Sequence, residues 1–355
     1  MRGLVFFSCA ALSLILSTVP AYAQDQSSLA KNDFRVRVED PGGWTLWDDS
    51  HSELINSAYQ PRQGDRNTPL VNIYNVVSGE KRSVDILKEF PSARYVYVTG
   101  LASGPDGSVL AVCEVGSDSR SYTGDRLLVY DDHSTLIMNL TSADYDVGAV
   151  AMDKHGDIYF VGTHDGENSS DESYPLLVKY DSQGKIALET LPRSLFEDVE
   201  DPVGDGLGSR RDGVTRVAVS GQAIHVYLAP AREMIVLNQA GEIQSRINIA
   251  STLSQFAKTK GYKDSYVDGD EFSPSGDLWL VGHLEEPADS SSDLLPARNF
   301  VVRVTPEGQL QVPYPHVGDE PPGHYLPQLI GFTQSNEPVA LVTARDSILV
   351  QKSPY

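Results

Sequence analysis

The fold is decided by GAVAMDKHGDIYFV at residues 148–161, followed after a polar connection by LLVKYDSQGKIAL at residues 176–188. In the first segment a short apolar strand runs into Asp-Lys-His-Gly, whose composition is that of a tight turn, and then into a β-rich run. The second repeats strand, turn and strand. Two such hairpins in succession make a unit of four short strands.

The first half recurs as GLASGPDGSVLAV from Gly100, GVTRVAVSGQAIHVYL from Gly213 and GDEFSPSGDLWLV from Gly269. It recurs again as LIGFTQSNEPVALV from Leu329, with Asn336 in the place of the turn glycine, a residue that tolerates left-handed backbone better than most. The second half recurs as RLLVYDDHSTLI from Arg126, MIVLNQAGEIQSRI from Met234, FVVRVTPEGQLQV from Phe300 and LVNIYNVVSGEKRSVDI from Leu70. SILVQ from Ser347 opens one more that the chain does not finish. Self-similarity at a period of about 45 to 65 residues, each unit four strands with hairpin turns, is the sequence form of propeller blades. The reading is an all-β chain, a β-propeller of six blades of four antiparallel strands, with a pair of β-sandwiches or a seven-bladed ring as alternatives. The FRVRV segment from Phe34 is expected to pair with the C-terminal strands and close the ring, which removes exposed sheet edges. Phe34 to Trp47 must also supply the missing strands of the first blade, and Thr252 to Lys260 is the one place where a short helix is expected.

The first residues have another order: Arg2, an apolar run from Leu4 to Val19, then Ala21-Tyr22-Ala23. This is the pattern of a Sec-type signal peptide at residues 1–23, cleaved after Ala23, with a retained anchor as the alternative. Residues 24–33 then form a short tail and 34–355 a single propeller domain, secreted or periplasmic and without stable membrane insertion. Loss of the leader leaves Cys113 as the one cysteine, so an apolar core rather than a disulfide must hold the chain together, and Cys113 reads as a small buried residue within a strand. The formal charge of −21 excludes nucleic acid and anionic membrane surfaces as partners and leaves cations, sugars and basic partners open.

In a blade whose strands A to D run outward from the channel, the A–B and C–D turns lie on one face, and the B–C and D–A connections on the other. The first kind are short here: PDG, KHG, PSG, DSQG, NQAG, TPEG. The second kind are long and acidic, beginning at Glu114, Thr163, Phe196, His283 and Pro313. One face therefore collects the loops that vary without disturbing a core. The same face receives the starts of the innermost strands, where Asp146, Asp212 and Asp268 stand beside Gly148, Gly213 and Gly269. Carboxylates converging from separate blades suit a divalent cation such as Ca²⁺. Asp270, Glu271, Arg211, Arg216, His164 and His283 are further candidates for this binding face, with neutralisation of the acids as the alternative part for the two arginines.

The phrases GAVAMDKHGDIYFV and LLVKYDSQGKI resemble NHL-type repeats and, more loosely, the six-bladed propellers that include gluconolactonases and strictosidine synthase-like proteins, over most of the chain from Gly100 onward. VDGDEFSPSGDLWLVG from Val267 is similar to the gluconolactonase strand in which an Asp before Gly is a metal ligand and general base, a part that the resemblance gives to Asp268. Asp212-Gly213 sits where that family carries an Asn-Gly ligand, whereas the family's N-terminal metal-binding Glu has no match, Glu39 being the nearest. The resemblance thus implies a metal-dependent lactone or ester hydrolase as one reading. The other is a monomeric binding module that takes a protein, glycan or small-molecule ligand on its acidic face. The residues leave enzyme and binding module both open, since no nucleophile elbow, H-E-x-x-H or phosphate loop is present.

Overall fold

The computed structural model describes residues 33–36, 43–61, 67–116, 122–142, 145–164, 174–204, 213–285, 298–319, 326–344 and 347–355. Six sheets of four antiparallel strands follow one another around a ring. The first blade is β2 (Thr45–Asp48), β3 (Glu53–Pro61), β4 (Asn67–Asn75) and β5 (Lys81–Asp85); the second is β6 (Tyr95–Ser103), β7 (Val109–Gly116), β8 (Tyr122–Tyr130) and β9 (Leu136–Thr141). The third runs through β10 (Tyr145–Met152), β11 (Ile158–His164), β12 (Pro175–Tyr180) and β13 (Ile186–Pro192). The fourth has β14 (Arg216–Ser220), β15 (Ala223–Leu228), β16 (Glu233–Asn238) and β17 (Ile243–Asn248), and the fifth β18 (Asp264–Phe272), β19 (Leu278–Glu285), β20 (Arg298–Val304) and β21 (Leu310–Gln311).

The sixth blade shows how the ring closes. Its strands β22 (Gln328–Phe332), β23 (Pro338–Ala344) and β24 (Ser347–Lys352) come from the C-terminus, and its outermost strand is β1 (Phe34–Val36). Phe34 lies opposite Val350 and Val36 opposite Ile348, so the first strand of the chain seals the edge of the last sheet, as the FRVRV segment led one to expect.

Four of the short hairpins share one local cause. Asp131, Asp153, Asp181 and Asn238 each accept two backbone N–H bonds from the turn they open, for example Asp153 Oδ1 from His155 and Asp157. These Asx bonds hold the turn closed before the strands pair. Asn336 stands at φ +63°, the left-handed geometry for which it substitutes for glycine. Apolar side chains then fill the space between adjacent sheets, as where Met234 and Val236 of the fourth blade meet Leu280, Phe300 and Val302 of the fifth. Cys113 is fully buried in such a layer.

The one α-helix of the described residues, α1 (Ile249–Thr259), joins the fourth blade to the fifth. It begins three residues before the expected Thr252, because the Asn248 side chain accepts from Ser251 N and caps it there. Ile249, Leu253 and Ala257 form its buried stripe. No helix of the described residues is long and apolar enough to cross a membrane.

Candidate functional site in the central channel

The six innermost strands, β2, β6, β10, β14, β18 and β22, surround a cavity of about 310 Å³. Four of them carry a β-bulge at the glycine that marks the repeat, skipping Thr99, Gly148, Asp268 or Ile330 in the pairing with the next strand. Bulges sharpen the local twist and re-aim side chains. The wall mixes small residues, Gly100, Ala149, Ala151 and Ala218 among them, with larger apolar ones such as Trp47, Met152 and Phe332.

One charged group crosses it. Arg216, the first residue of β14, donates from Nε to Asp270 Oδ1 at 2.7 Å and places Nη1 3.7 Å from Glu271 Oε2. Its guanidinium also lies 5.9 Å from the ring of Trp44, at the entrance of β2. The first and fourth blades of a six-membered ring are opposite one another, so Arg216 spans the channel. Asp270 is wholly buried and takes a second hydrogen bond from Val214 N at 2.6 Å. Gly213, at φ +82°, must be glycine for this to happen, since a Cβ there would run into Asp270 Oδ2. Burial draws the Asp270 and Glu271 carboxyls above the usual carboxylate range while Arg216 opposes it, and the two acids hold Arg216 firmly protonated. Two carboxylates against one guanidinium leave an excess of acceptor oxygens. Glu271 is the partly exposed one, on the second-to-last rung before the A–B hairpin, and it presents that excess to the channel.

At the strand ends the remaining sequence candidates are placed as follows. Asp268 occupies the bulge of β18, half exposed, and its Oδ2 lies 2.8 Å from Nδ1 of His283. The His283 ring stacks on Tyr266 at 5.0 Å and 8°, and the bond to Asp268 raises its pKa above the ordinary histidine value. His164 sits between Tyr145 and Tyr174 at 5.3 and 5.6 Å. Asp146 lies opposite Thr163 on β10, in the third blade rather than the fifth. Arg211 and Asp212 lie outside the described residues, as do residues 117–121, 165–173, 205–212, 286–297 and 320–325 of the acidic connections. Among the described residues no group of three or more His, Cys, Asp or Glu side chains comes together as a metal site, and Asp212, the third expected ligand beside Asp146 and Asp268, lies outside them.

Two residues of interest went unread in the sequence. Trp44 lies in the weakest repeat, and no local pattern announces a ring that meets an arginine more than 170 positions away. Asp125 ends an acidic loop in sequence, yet it is buried on β8, accepts from Val147 N at 2.7 Å, and is pushed up to about 7 by burial, with the Asp146 and Glu114 charges adding to the effect. The signal, an acid directly before the apolar run RLLVY, is the same as that of a solvated loop acid.

No family model matches the chain, and no curated protein matches it in sequence. Among solved structures it is similar to a DUF4221 family member from Bacteroides vulgatus, with 8% identity, a TM-score of 0.46, and 91% of this chain and 96% of that one covered. It is also similar to streptogramin B lyase, with 10% identity, a TM-score of 0.42, and 90% and 98% covered. A protein of unknown function from Bacteroides caccae aligns at 13% identity and a TM-score of 0.32 over 73% of this chain and 92% of the other.

Proposed function

We propose that this chain is an exported, monomeric binding protein whose propeller channel seats a small, donor-rich ligand, an amine or a sugar. The observation that carries the reading is the Arg216, Asp270, Glu271 and Trp44 group in a channel of about 310 Å³. Glu271, whose Oε1 accepts from Phe272 N and whose Oε2 lies 3.7 Å from Arg216, keeps lone pairs for a donor, and Trp44 offers an aromatic face against which an ammonium group or a sugar ring packs. The net charge of −21 draws such cations toward the protein and disfavours anions. The sequence pattern of residues 1–23, Arg2, the apolar run from Leu4 to Val19 and Ala21-Tyr22-Ala23, is what supports export. The test is a calorimetric titration of amines and monosaccharides against the wild type and Glu271→Gln. Binding lost in the variant supports the channel, and binding that survives it places the ligand elsewhere.

The hydrolase reading keeps one observation in its favour, the hydrogen bond between Asp268 and His283. In that arrangement the carboxylate orients an imidazole, so Nε2 of His283 rather than Asp268 itself would accept a proton from water. Lactone turnover that is lost in both His283→Gln and Asp268→Asn, and that requires added Ca²⁺, would support this reading together with the cation site at Asp146, Asp212 and Asp268. Turnover indifferent to all three would remove it.

A further inference from the structure

A second cavity, of about 290 Å³, opens on the side of the fifth blade, between the end of α1, β20 and the segment after β21. Its size sits at the lower edge of small-ligand pockets, roughly 300–1,000 Å³. Four aromatic residues line it, Phe256, Tyr262, Phe300 and Tyr314, with Phe256 and Phe300 in edge contact at 5.8 Å. Lys260 and Arg298 stand on the same lining, both exposed, and neither side chain makes an ion pair among the described residues. Lys258 and Lys263 flank them, so three of the chain's ten lysines fall within six residues of an otherwise strongly acidic protein. Asp319 and the C-terminal end of α1 add negative potential to the rim, against which stand the two cations of the lining and the flanking Lys258 and Lys263.

We propose that this pocket binds an aromatic carboxylate, its ring against Phe256, Tyr262 and Tyr314, with the buried Phe300 backing Phe256, and its carboxylate toward Lys260 and Arg298. Offset and edge-on ring contacts favour an aryl group over an alkyl chain of the same size. The guanidinium and ammonium, which make no ion pair among the described residues, select an anion, the opposite of what the channel selects. The two sites therefore differ in charge preference, and the second stands whether or not the channel reading holds.

The test uses the purified protein with 3-phenylpropionate as probe, followed by saturation-transfer NMR and calorimetry, with phenethylamine and octanoate as comparators. The expected result is that 3-phenylpropionate binds at least about tenfold more tightly than either comparator and weakens as salt is raised. A double variant, Lys260→Glu with Arg298→Glu, should lose about tenfold or more in affinity with an unchanged melting curve, because both side chains are exposed. Glu271→Gln should leave the binding as it is. Phenethylamine or octanoate binding as tightly as the probe in the wild type overturns the proposal without recourse to any variant. So does a double variant that retains full affinity, or a probe displaced by Glu271→Gln.

Discussion

Asp125→Asn should stabilise the protein at alkaline pH and leave it unchanged in acid. Asp125 is 3% exposed, and its carboxyl is raised from the ordinary 3.8 to about 7, chiefly by burial. Below 3.8 the folded and unfolded chains both hold the proton and the site contributes nothing to a pH slope. As pH rises from there toward 7, the unfolded chain releases its proton first, so stability falls throughout that window and the loss is complete above it. A shift of about three units corresponds to about 4 kcal/mol at ~1.4 kcal/mol per unit, an order-of-magnitude figure for a buried acid. Asparagine keeps an oxygen for Val147 N and cannot ionise. Urea denaturation followed by circular dichroism at about pH 4, 6 and 8 should show the variant's advantage growing from near zero to several kcal/mol. An advantage that is flat with pH, or a variant weaker than wild type at about pH 8, would refute a buried carboxyl held near neutrality.

His225 titrates in the opposite sense: buried beside Ser220, it is lowered from 6.5 to about 4, so wild-type stability should fall as pH drops through that interval, by about 3 kcal/mol. The slope should vanish in His225→Gln, and its persistence there would assign it to other groups. Arg216→Met strips the partner from a buried carboxylate and should cost about 3–5 kcal/mol in urea denaturation, with part recovered when Asp270→Asn is added. Absence of recovery in the double variant would mean that the loss is packing rather than charge. Phe34→Asp puts a charge on the closing strand of the sixth blade, and the expected outcome is a lower melting midpoint with concentration-dependent association through the freed edge of β24, read by size-exclusion chromatography. An unchanged midpoint would show that β1 is dispensable to the ring.

The blades were legible because their causes are local. An Asp or Asn that opens a turn, a residue able to take left-handed geometry at its end, and a flanking apolar run are all within a dozen residues of one another, and Asp153 with Gly156 is typical. Ring closure was legible for a different reason, since an unfinished repeat at Ser347 and an unassigned strand at Phe34 account for one another. The site was legible only in its residue types. Asp270, Glu271 and Arg216 stand in the sequence as two acids and a base, but whether they face solvent or one another depends on which rung of the ladder each occupies. Register is set by bulges that a single sequence marks only with a glycine. Asp268 likewise reads as a free acid at a strand mouth, whereas its engagement by His283 depends on two strands pairing so that position 283 faces position 266.

The two innermost strands without a bulge, β2 and β14, are the two joined across the channel by Trp44 and Arg216. In the other four, the extra residue sharpens the local twist, and one of them, β18, still presents Glu271 to the channel. Where the pairing stays regular, Arg216 remains at the start of its strand and its side chain reaches the centre, held on the fifth blade by a buried carboxylate that gives it one orientation. The glycine of the repeat shapes the innermost strands that bulge, and Arg216 stands on one that does not. A chain without a disulfide among its described residues gains from this a tie between opposite blades, and that tie also fixes the carboxylate, Glu271, that any ligand in the channel would meet first.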